Sequence, residues 1–220
     1  MKNTTRCVRK LMNCFQKDMD KKRYLFSPDL NAEKRLHKLE QHFCASHTDI
    51  KERGRSAGKS SQLVAELDHL LNIGKTHIDF MSAGNFSLHN VLEFFLAKYG
   101  PCLELYLSTW SVKEAAARSL RNLYDKKMFG SMHGIFDYRI KSTDSEAFHL
   151  IEPCFFDIEF TKNHSKVILI EYSDRVITIL TSANMSNNPR IEVGYVSLQQ
   201  DVFNFHKGWM REVFNGKKVY

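Results

Sequence analysis

The sequence predicts an α/β fold, a mixed β-sheet flanked by helices, preceded by a basic and mainly helical extension. Two observations lead to this prediction. Beyond residue 61, apolar residues switch between helical and strand spacing, in the order that a sheet with crossover helices requires. Before residue 62 the chain is polar, and its few apolar residues follow helical spacing. We therefore expect the extension at residues 1–62 and one compact domain at residues 63–220.

The first half of that domain reads as alternating helices and strands. Apolar periodicity predicts them, and Gly100-Pro101 marks the end of the second helix. Ser111 and Glu114 have the spacing of a capping box, which predicts the start of the third helix. The expected elements are a helix over 64–73, a strand over 77–82, a helix over 88–99, a strand over 102–108 and a helix reaching residue 124.

The second half, after Gly130, is rich in strand patterns. Short alternating or continuous apolar runs rich in β-branched and aromatic residues predict five strands, and a longer periodic segment predicts a closing helix. The expected strands cover 135–141, 155–160, 166–171, 175–181 and 191–198, and the helix covers 201–214.

The positive charge of the chain is concentrated in the extension. The net charge is +7, and residues 1–60 hold 15 Lys and Arg against 7 Asp and Glu, whereas residues 61–220 hold 17 against 18. A basic segment beside a nearly neutral domain is typical of proteins that bind polyanions, because neutralising phosphates releases counterions. A solvated helical surface has the same composition, so charge alone leaves both interpretations open.

Composition also indicates a compartment. The five cysteines form no Cys-x-x-Cys pair, which predicts free thiols in a reducing environment. No apolar run approaches the roughly 20 residues of a membrane-spanning helix, and residues 1–10 are unlike a signal peptide. We expect a cytoplasmic protein without a membrane span.

Two segments of the extension look like motifs but do not predict a site. Gly54 to Ser61 lacks one residue between the glycines of a phosphate-binding P-loop, and no buried strand precedes it, so we interpret it as a linker. Four possible metal ligands lack a second pair at zinc spacing, and we interpret them as surface side chains: His37, His42, Cys44 and His47. We expect no metal and no cofactor.

The chemically informative residues lie in the strand-rich half. His164 and Lys166 are two apart on a predicted strand, so both should project from one face of it. The next strand returns the chain after a turn, which should bring Ser182 and Asn184 near His164. These residue types suit phosphodiester cleavage, which needs a nucleophile and donors that hold the phosphoryl oxygens. Glu192 is the best-placed carboxylate to fix the tautomer of the histidine.

The order of these residues resembles the HKD motif of the phospholipase D superfamily. The motif runs from His164-x-Lys166 through an acid at Glu171 to Ser182-x-Asn184 and a later Glu192. It differs from the family pattern in two ways, since Glu171 replaces the usual Asp and Thr181 replaces a Gly. The resemblance covers about 30 residues. It implies a phospholipase D-like domain with catalytic residues His164, Lys166, Asn184 and Glu192, and substrate-binding residues Ser182 and Thr181.

The resemblance also implies a mechanism and an assembly. In that family two such motifs face each other; one histidine attacks phosphorus to form a phosphohistidine, and the other protonates the leaving group. The sequence contains one motif, so the resemblance implies a homodimer with the site across the two-fold axis.

Three substrate classes or roles remain open at this point. The basic extension favours nucleic acid, and we expect a metal-independent DNA endonuclease. The alternatives are a catalytically weak nucleic-acid-binding protein of the same fold and a phospholipid-directed hydrolase or transferase. The aromatic residues do not decide between them, because residues such as Trp110 and Trp209 can stack on bases but are more often part of a core.

Overall fold

The computed structural model describes residues 53–58, 60–83, 87–186 and 190–216, so the helices expected within residues 1–52 lie outside the described part. The described chain forms one mixed eight-stranded sheet in the order β1-β2-β8-β7-β6-β3-β4-β5, with helices on its faces, which confirms the predicted fold class. The strands are β1 (Arg53–Gly58), β2 (His77–Ala83), β3 (Cys102–Thr109), β4 (Phe129–Asp137), β5 (Asp157–Thr161), β6 (Val167–Glu171), β7 (Val176–Thr181) and β8 (Ile191–Ser197).

Six α-helices connect or cover these strands. They are α1 (Ser60–Asn72), α2 (Leu88–Tyr99), α3 (Glu114–Asp125), α4 (Ile140–Thr143), α5 (Ser145–Ile151) and α6 (Gln200–Phe214). The end of α2 shows why the sequence signal was reliable: Gly100 adopts a φ of 81°, which glycine tolerates, and Pro101 cannot continue the helix.

Strand direction decides which loops meet. The pairings make β1 to β5 and β7 parallel to one another and β6 and β8 antiparallel to them. The carboxyl ends of β2, β3, β4 and β7 therefore meet the amino ends of β6 and β8 at one edge of the sheet. Residues far apart in sequence are collected there.

The core has two parts, one on each face of the sheet. Helices α1 to α5 bury apolar side chains such as Leu67, Phe95 and Leu120 against one face. Helix α6 packs Phe203 and Met210 against the other face. Burial of apolar area of this kind is the main favourable term in folding. The sheet is thus held rigidly from both sides.

The segment expected to be a linker is part of the fold instead. Arg53–Gly58 forms the edge strand β1, which pairs in parallel with β2, and helix α1 begins at Ser60. The polar composition of this segment hid the strand, because an edge strand next to solvent does not need an apolar run.

Two further expectations are corrected between residues 111 and 151. The predicted capping box of Ser111 and Glu114 is wrong, because α3 starts only at Glu114. Before it, Val112 forms a β-bridge with Met185, and Lys113 donates its N–H to the Met185 carbonyl. The predicted strand 135–141 is also shifted, since β4 runs from Phe129 to Asp137 and the chain then turns into α4 and α5.

The described cysteines behave as the composition predicts. Cys102 and Cys154 are free thiols, and both are buried. Burial raises the pKa of Cys102 to about 12. Its thiol is therefore protonated and unreactive at neutral pH.

Candidate active site

The predicted site residues lie at the sheet edge where the carboxyl ends of β3, β4 and β7 meet the amino ends of β6 and β8. We call this the polar edge and define it by Trp110, Asp137, His164, Ser182 and Glu192. Each lies within three residues of the relevant end of one of these five strands. The strand order therefore brings together residues separated by up to 82 positions.

His164 and Lys166 do not share a strand face as expected. Strand β6 begins at Val167, and residues 163–166 form a loop before it. His164 is exposed, whereas Lys166 is buried and donates a hydrogen bond from Nζ to the His164 carbonyl oxygen at 2.6 Å. The loop still pairs with β7, because Thr181 donates its N–H to the Lys166 carbonyl at 3.2 Å. The imidazole faces solvent while the ammonium group is enclosed.

Asn163 explains why the chain leaves the strand before His164. Its buried amide is satisfied by neighbours on three segments, and its backbone N–H donates to Asp137 Oδ2 at 3.2 Å. The Nδ2 group donates to Ser108 Oγ at 2.9 Å, to the Ile135 carbonyl at 3.0 Å and to the Thr109 carbonyl at 3.3 Å, and Oδ1 accepts from Ser165. Sequence reasoning missed this residue, since a lone Asn in a polar loop carries no distinguishing signal.

Glu192 lies beside two other predicted site residues. Ser182 donates its hydroxyl to Glu192 Oε2, and the same hydroxyl oxygen accepts the Val193 N–H at 3.0 Å. Burial lowers the pKa of Lys166, and the nearby Glu192 carboxylate partly opposes this effect. Lys166 and Glu192 are buried, whereas Ser182 is exposed, and Glu192 interacts with both of them. The expected role of Glu192 as orienter of His164 stays a prediction, because its hydrogen bond goes to Ser182.

Thr181 and Asn184 have different surroundings. The Thr181 hydroxyl donates to the Val193 carbonyl at 2.9 Å and accepts the Ala183 N–H at 3.0 Å, so it shapes the turn that ends β7. Asn184 accepts the Leu88 N–H at its backbone carbonyl, at 3.3 Å. This contact involves only the backbone of Asn184, not its side chain.

Buried polar atoms without partners concentrate at the polar edge. Within the described residues, four buried side-chain atoms lack a hydrogen-bond partner, and three of them lie at this edge: Ser82 Oγ, Trp110 Nε1 and Asn184 Oδ1. Ser82 is the cross-strand neighbour of Glu192. Such atoms are rare in folded proteins because each costs free energy, and they are typical of sites that bind a ligand.

Trp110 lies beside His164, and Arg139 lies against Trp110, which sequence reasoning did not predict. The Trp110 and His164 ring centroids are 5.9 Å apart, and the Arg139 guanidinium carbon lies 5.2 Å from the Trp110 ring centroid. Arg139 donates from Nε to Asp137 Oδ1 at 2.7 Å and from Nη2 to Oδ2 at 3.3 Å. This contact with Arg139 lowers the pKa of Asp137 and raises the pKa of Arg139.

Glu171, the acid of the motif, lies at the opposite end of β6 from Lys166. It accepts a hydrogen bond from Lys207 Nζ of α6, and Lys207 also donates to Glu104 Oε2 at 2.8 Å. Tyr106 donates its hydroxyl to the same Glu104 oxygen at 2.7 Å. Glu171 therefore joins helix α6 to the sheet, away from the polar edge.

The described residues contain neither a cluster of metal-ligand side chains nor a membrane-spanning helix. No group of three or more His, Cys, Asp and Glu side chains is arranged to hold a metal ion in this part of the chain. In the same residues, no helix has both the length and the apolar character of a membrane span.

Comparison with known proteins finds similarity to solved structures. No protein-family model and no curated protein matches the chain. Among solved structures, the phospholipase D family member Nuc from Salmonella typhimurium is similar at a TM-score of 0.47 and 12% identity, over 64% of this chain and 98% of that one.

Two further structures are similar over about the same part of the chain. Polyphosphate kinase from Porphyromonas gingivalis matches 64% of this chain and 26% of its own, at a TM-score of 0.47 and 15% identity. Phosphatidylserine synthase from Haemophilus influenzae matches 63% and 38%, at a TM-score of 0.44 and 13% identity.

Proposed function

We propose that this protein is a phosphodiesterase of phospholipase D type that cleaves DNA. One observation carries the proposal: an exposed imidazole, His164, lies at the polar edge next to a buried ammonium group, Lys166, which shares its surroundings with Glu192 and Ser182. A nucleophile open to solvent and a fixed cation that binds phosphoryl oxygens are the two groups that this chemistry needs first.

The reaction would proceed by two displacements at phosphorus. A ring nitrogen of His164 attacks, the N–P bond forms, the P–O bond to the leaving group breaks, and a second histidine gives its proton to the leaving oxygen. Water then attacks the phosphohistidine and gives a proton to the second histidine, and the N–P bond breaks. Lys166 and Asn184 hold the phosphoryl oxygens in both steps, together with Ser182.

The second histidine would come from a second copy of the chain. The sequence contains one His-x-Lys motif followed by Ser-x-Asn, so a homodimer is the simplest way to bring two histidines to one phosphate. The exposure of His164 supports this arrangement, because the imidazole is accessible to a symmetry mate.

DNA is the proposed substrate because of the charge distribution. The excess of Lys and Arg lies within residues 1–60, and a basic segment attracts a polyphosphate chain without reading its sequence. The reaction is proposed to be independent of metal, since the histidines and Lys166 supply the nucleophile, the acid and the positive charge.

The test is cleavage of labelled DNA in excess EDTA by the wild type, by His164→Ala and by the control His149→Ala. His149 is 75% exposed and lies on α5, away from the polar edge, so its loss should leave activity unchanged. Cutting by the wild type and the control, but not by His164→Ala, supports the proposal. Head-group release from lipid vesicles without DNA cleavage would instead favour a phospholipid substrate, and salt-sensitive DNA binding without turnover would favour a binding protein.

A further inference from the structure

The pair Trp110 and Arg139 is the most prominent feature of the polar edge that the proposed chemistry does not use. The indole ring is near both the His164 imidazole, at 5.9 Å between ring centroids, and the Arg139 guanidinium carbon, at 5.2 Å from the indole centroid. The three side chains come from three different loops, which follow β3, β4 and β5. We call His164, Trp110 and Arg139 the row, because Trp110 is near each of the other two side chains and His164 is the proposed nucleophile.

Arg139 keeps donors available for a ligand. A guanidinium group has five N–H donors in a fixed fork. Asp137 accepts from Nε and from Nη2 of Arg139, which leaves three N–H groups outside this pair. The Arg139 side chain is 50% exposed, whereas that of Asp137 is 3% exposed. The buried carboxylate thus fixes the orientation of a guanidinium group whose outer side faces solvent.

The same carboxylate links Arg139 to the nucleophile loop. Asp137 Oδ2 accepts the backbone N–H of Asn163, the residue before His164, at 3.2 Å. The positions of the guanidinium group and the imidazole are therefore set by one buried anchor. A site with two fixed groups recognises a ligand that has two matching groups.

Trp110 adds a second, independent sign of a ligand. Its Nε1–H is buried and has no hydrogen-bond acceptor among the described residues, although the rest of its ring contacts Arg139 and His164. A buried indole N–H normally has an acceptor. A phosphate oxygen is an acceptor of the kind that this N–H lacks.

We propose that Arg139 and Trp110 form a subsite for a phosphate of the substrate other than the one that is cleaved. The inference rests on the proposed function and makes it more specific, because it requires a substrate with several phosphates in a row. Successive phosphates of one DNA strand are about 3.4 Å apart along the axis, so the neighbours of a phosphate at His164 lie within reach of this row. Arginine suits the task because its fork binds phosphate by two parallel hydrogen bonds.

The kinetic test compares two substrates that differ in phosphate number. Bis(4-nitrophenyl) phosphate has one phosphate, and a ten-residue oligothymidylate has several. Arg139→Gln should lower kcat/KM for the oligonucleotide by ~10-fold or more, mainly through KM, because a charge-assisted contact to phosphate is lost. Its activity on the single diester should stay within about twofold of the wild type.

The matched control is Arg118→Gln. Arg118 is 70% exposed and also pairs with a carboxylate, Glu114, but it lies on α3 away from the row. Its substitution should change neither activity. Equal losses on both substrates in Arg139→Gln, or no loss on either, would overturn the subsite. Arg139→Lys keeps the charge and should unfold at the same temperature as the wild type. Thermal unfolding of the Arg139 variants therefore shows whether a loss of activity comes from lost binding or from lost structure.

A binding measurement keeps the inference separate from the proposed function. Fluorescence anisotropy of the labelled oligonucleotide, measured with His164→Ala as the background, needs no turnover. Adding Arg139→Gln should weaken binding and reduce the slope of log K against log salt by about one, as expected for one lost phosphate contact. An unchanged slope contradicts the subsite even if DNA is cleaved; a reduced slope supports it even if no cleavage is found.

Discussion

The ammonium group of Lys166 donates a hydrogen bond to the backbone carbonyl of His164 at 2.6 Å, so the two hallmark residues of the motif are joined through the main chain. Lys166 is buried, whereas His164 is exposed. The Lys166 side chain therefore contacts the loop backbone and also supplies a positive charge. These two roles can be separated by experiment.

Replacing Lys166 with Met should abolish phosphodiester cleavage and leave the protein at least as stable as the wild type. Burial lowers the pKa of Lys166, so the charged form costs free energy in the folded state. This cost is fully present below the pKa that Lys166 has in the folded protein. It disappears as the pH rises towards about 10.4, the pKa of a lysine in the unfolded chain. Urea unfolding of both proteins at pH 7 and at pH 10 measures it.

The advantage of Lys166→Met should be largest at pH 7 and smaller at pH 10. A variant that is less stable than the wild type at pH 7 would mean that the hydrogen bond to the His164 carbonyl outweighs the burial cost. Lys98→Met is the control, because Lys98 pairs with Asp68 at 2.6 Å far from the polar edge and should keep full activity.

Removing the Asn163 side chain should impair stability and activity together. Asn163→Ala removes one hydrogen bond from the Ser108 hydroxyl, which keeps Ser165 as a partner, and one from each of two backbone carbonyls, which should lower the free energy of unfolding by roughly 2 to 4 kcal/mol. Chemical unfolding measures the loss, and cleavage of labelled DNA should also fall because the His164 loop is released. The control is Asn204→Ala, because Asn204 is exposed and accepts a hydrogen bond from Gln200. Its free energy of unfolding should stay within about 0.5 kcal/mol of the wild-type value. Full activity of Asn163→Ala would show that the loop does not depend on this anchor.

The two acids of the motif should behave differently. Glu171→Gln weakens the contact with Lys207 and should lower stability while leaving kcat near the wild-type value, since Glu171 lies at the far end of β6. Glu192→Gln changes the group that surrounds Lys166 and Ser182 and should lower kcat by ~100-fold or more. Steady-state kinetics on DNA measure kcat for both variants. A large loss of kcat in Glu171→Gln alone would show that Glu171, and not Glu192, is the acid that catalysis needs.

Acid should weaken the link between α6 and the sheet through Glu104. Burial acts to raise its pKa, but hydrogen bonds from Lys207 and Tyr106 outweigh this and lower the pKa to about 2. The stability that the charged Glu104 contributes is present above about pH 4.3, which is the pKa of a glutamate in the unfolded chain. It is lost as the pH falls towards 2. Because the Glu104 side chain is 35% exposed, solvent screening reduces the effect to about 1 kcal/mol. Glu104→Gln should be less stable than the wild type at pH 7 and equal to it near pH 2; equal stability at pH 7 would contradict this contribution.

Periodic apolar patterns made most of the fold predictable from the sequence. Helix α2 was placed at its observed bounds, Leu88–Tyr99, because Gly100-Pro101 is an unambiguous stop signal. Strand β1 was missed because its residues are polar, and α4 and α5 were missed because both are short and follow an Asp137 turn that only the tertiary contacts explain.

The sequence singled out the candidate site residues but not the contacts that position them. Residue type and spacing singled out His164 and Lys166, yet the strand period placed them on one face. Asn163 shifts them into a loop through contacts with β3 and β4, which lie 26 or more positions away in sequence. Arg139 and Trp110 join the edge for the same reason, since long-range strand order decides which loops meet.

The stereochemical course at phosphorus tests the central claim, a covalent intermediate on His164, most directly. A DNA phosphorothioate of one configuration would be cleaved in oxygen-18 water with EDTA present, and the configuration of the product determined. Two successive displacements, first by His164 and then by water, predict retention of configuration and no product from His164→Ala. Inversion would show that water attacks DNA in a single step, and His164 would then not be the nucleophile.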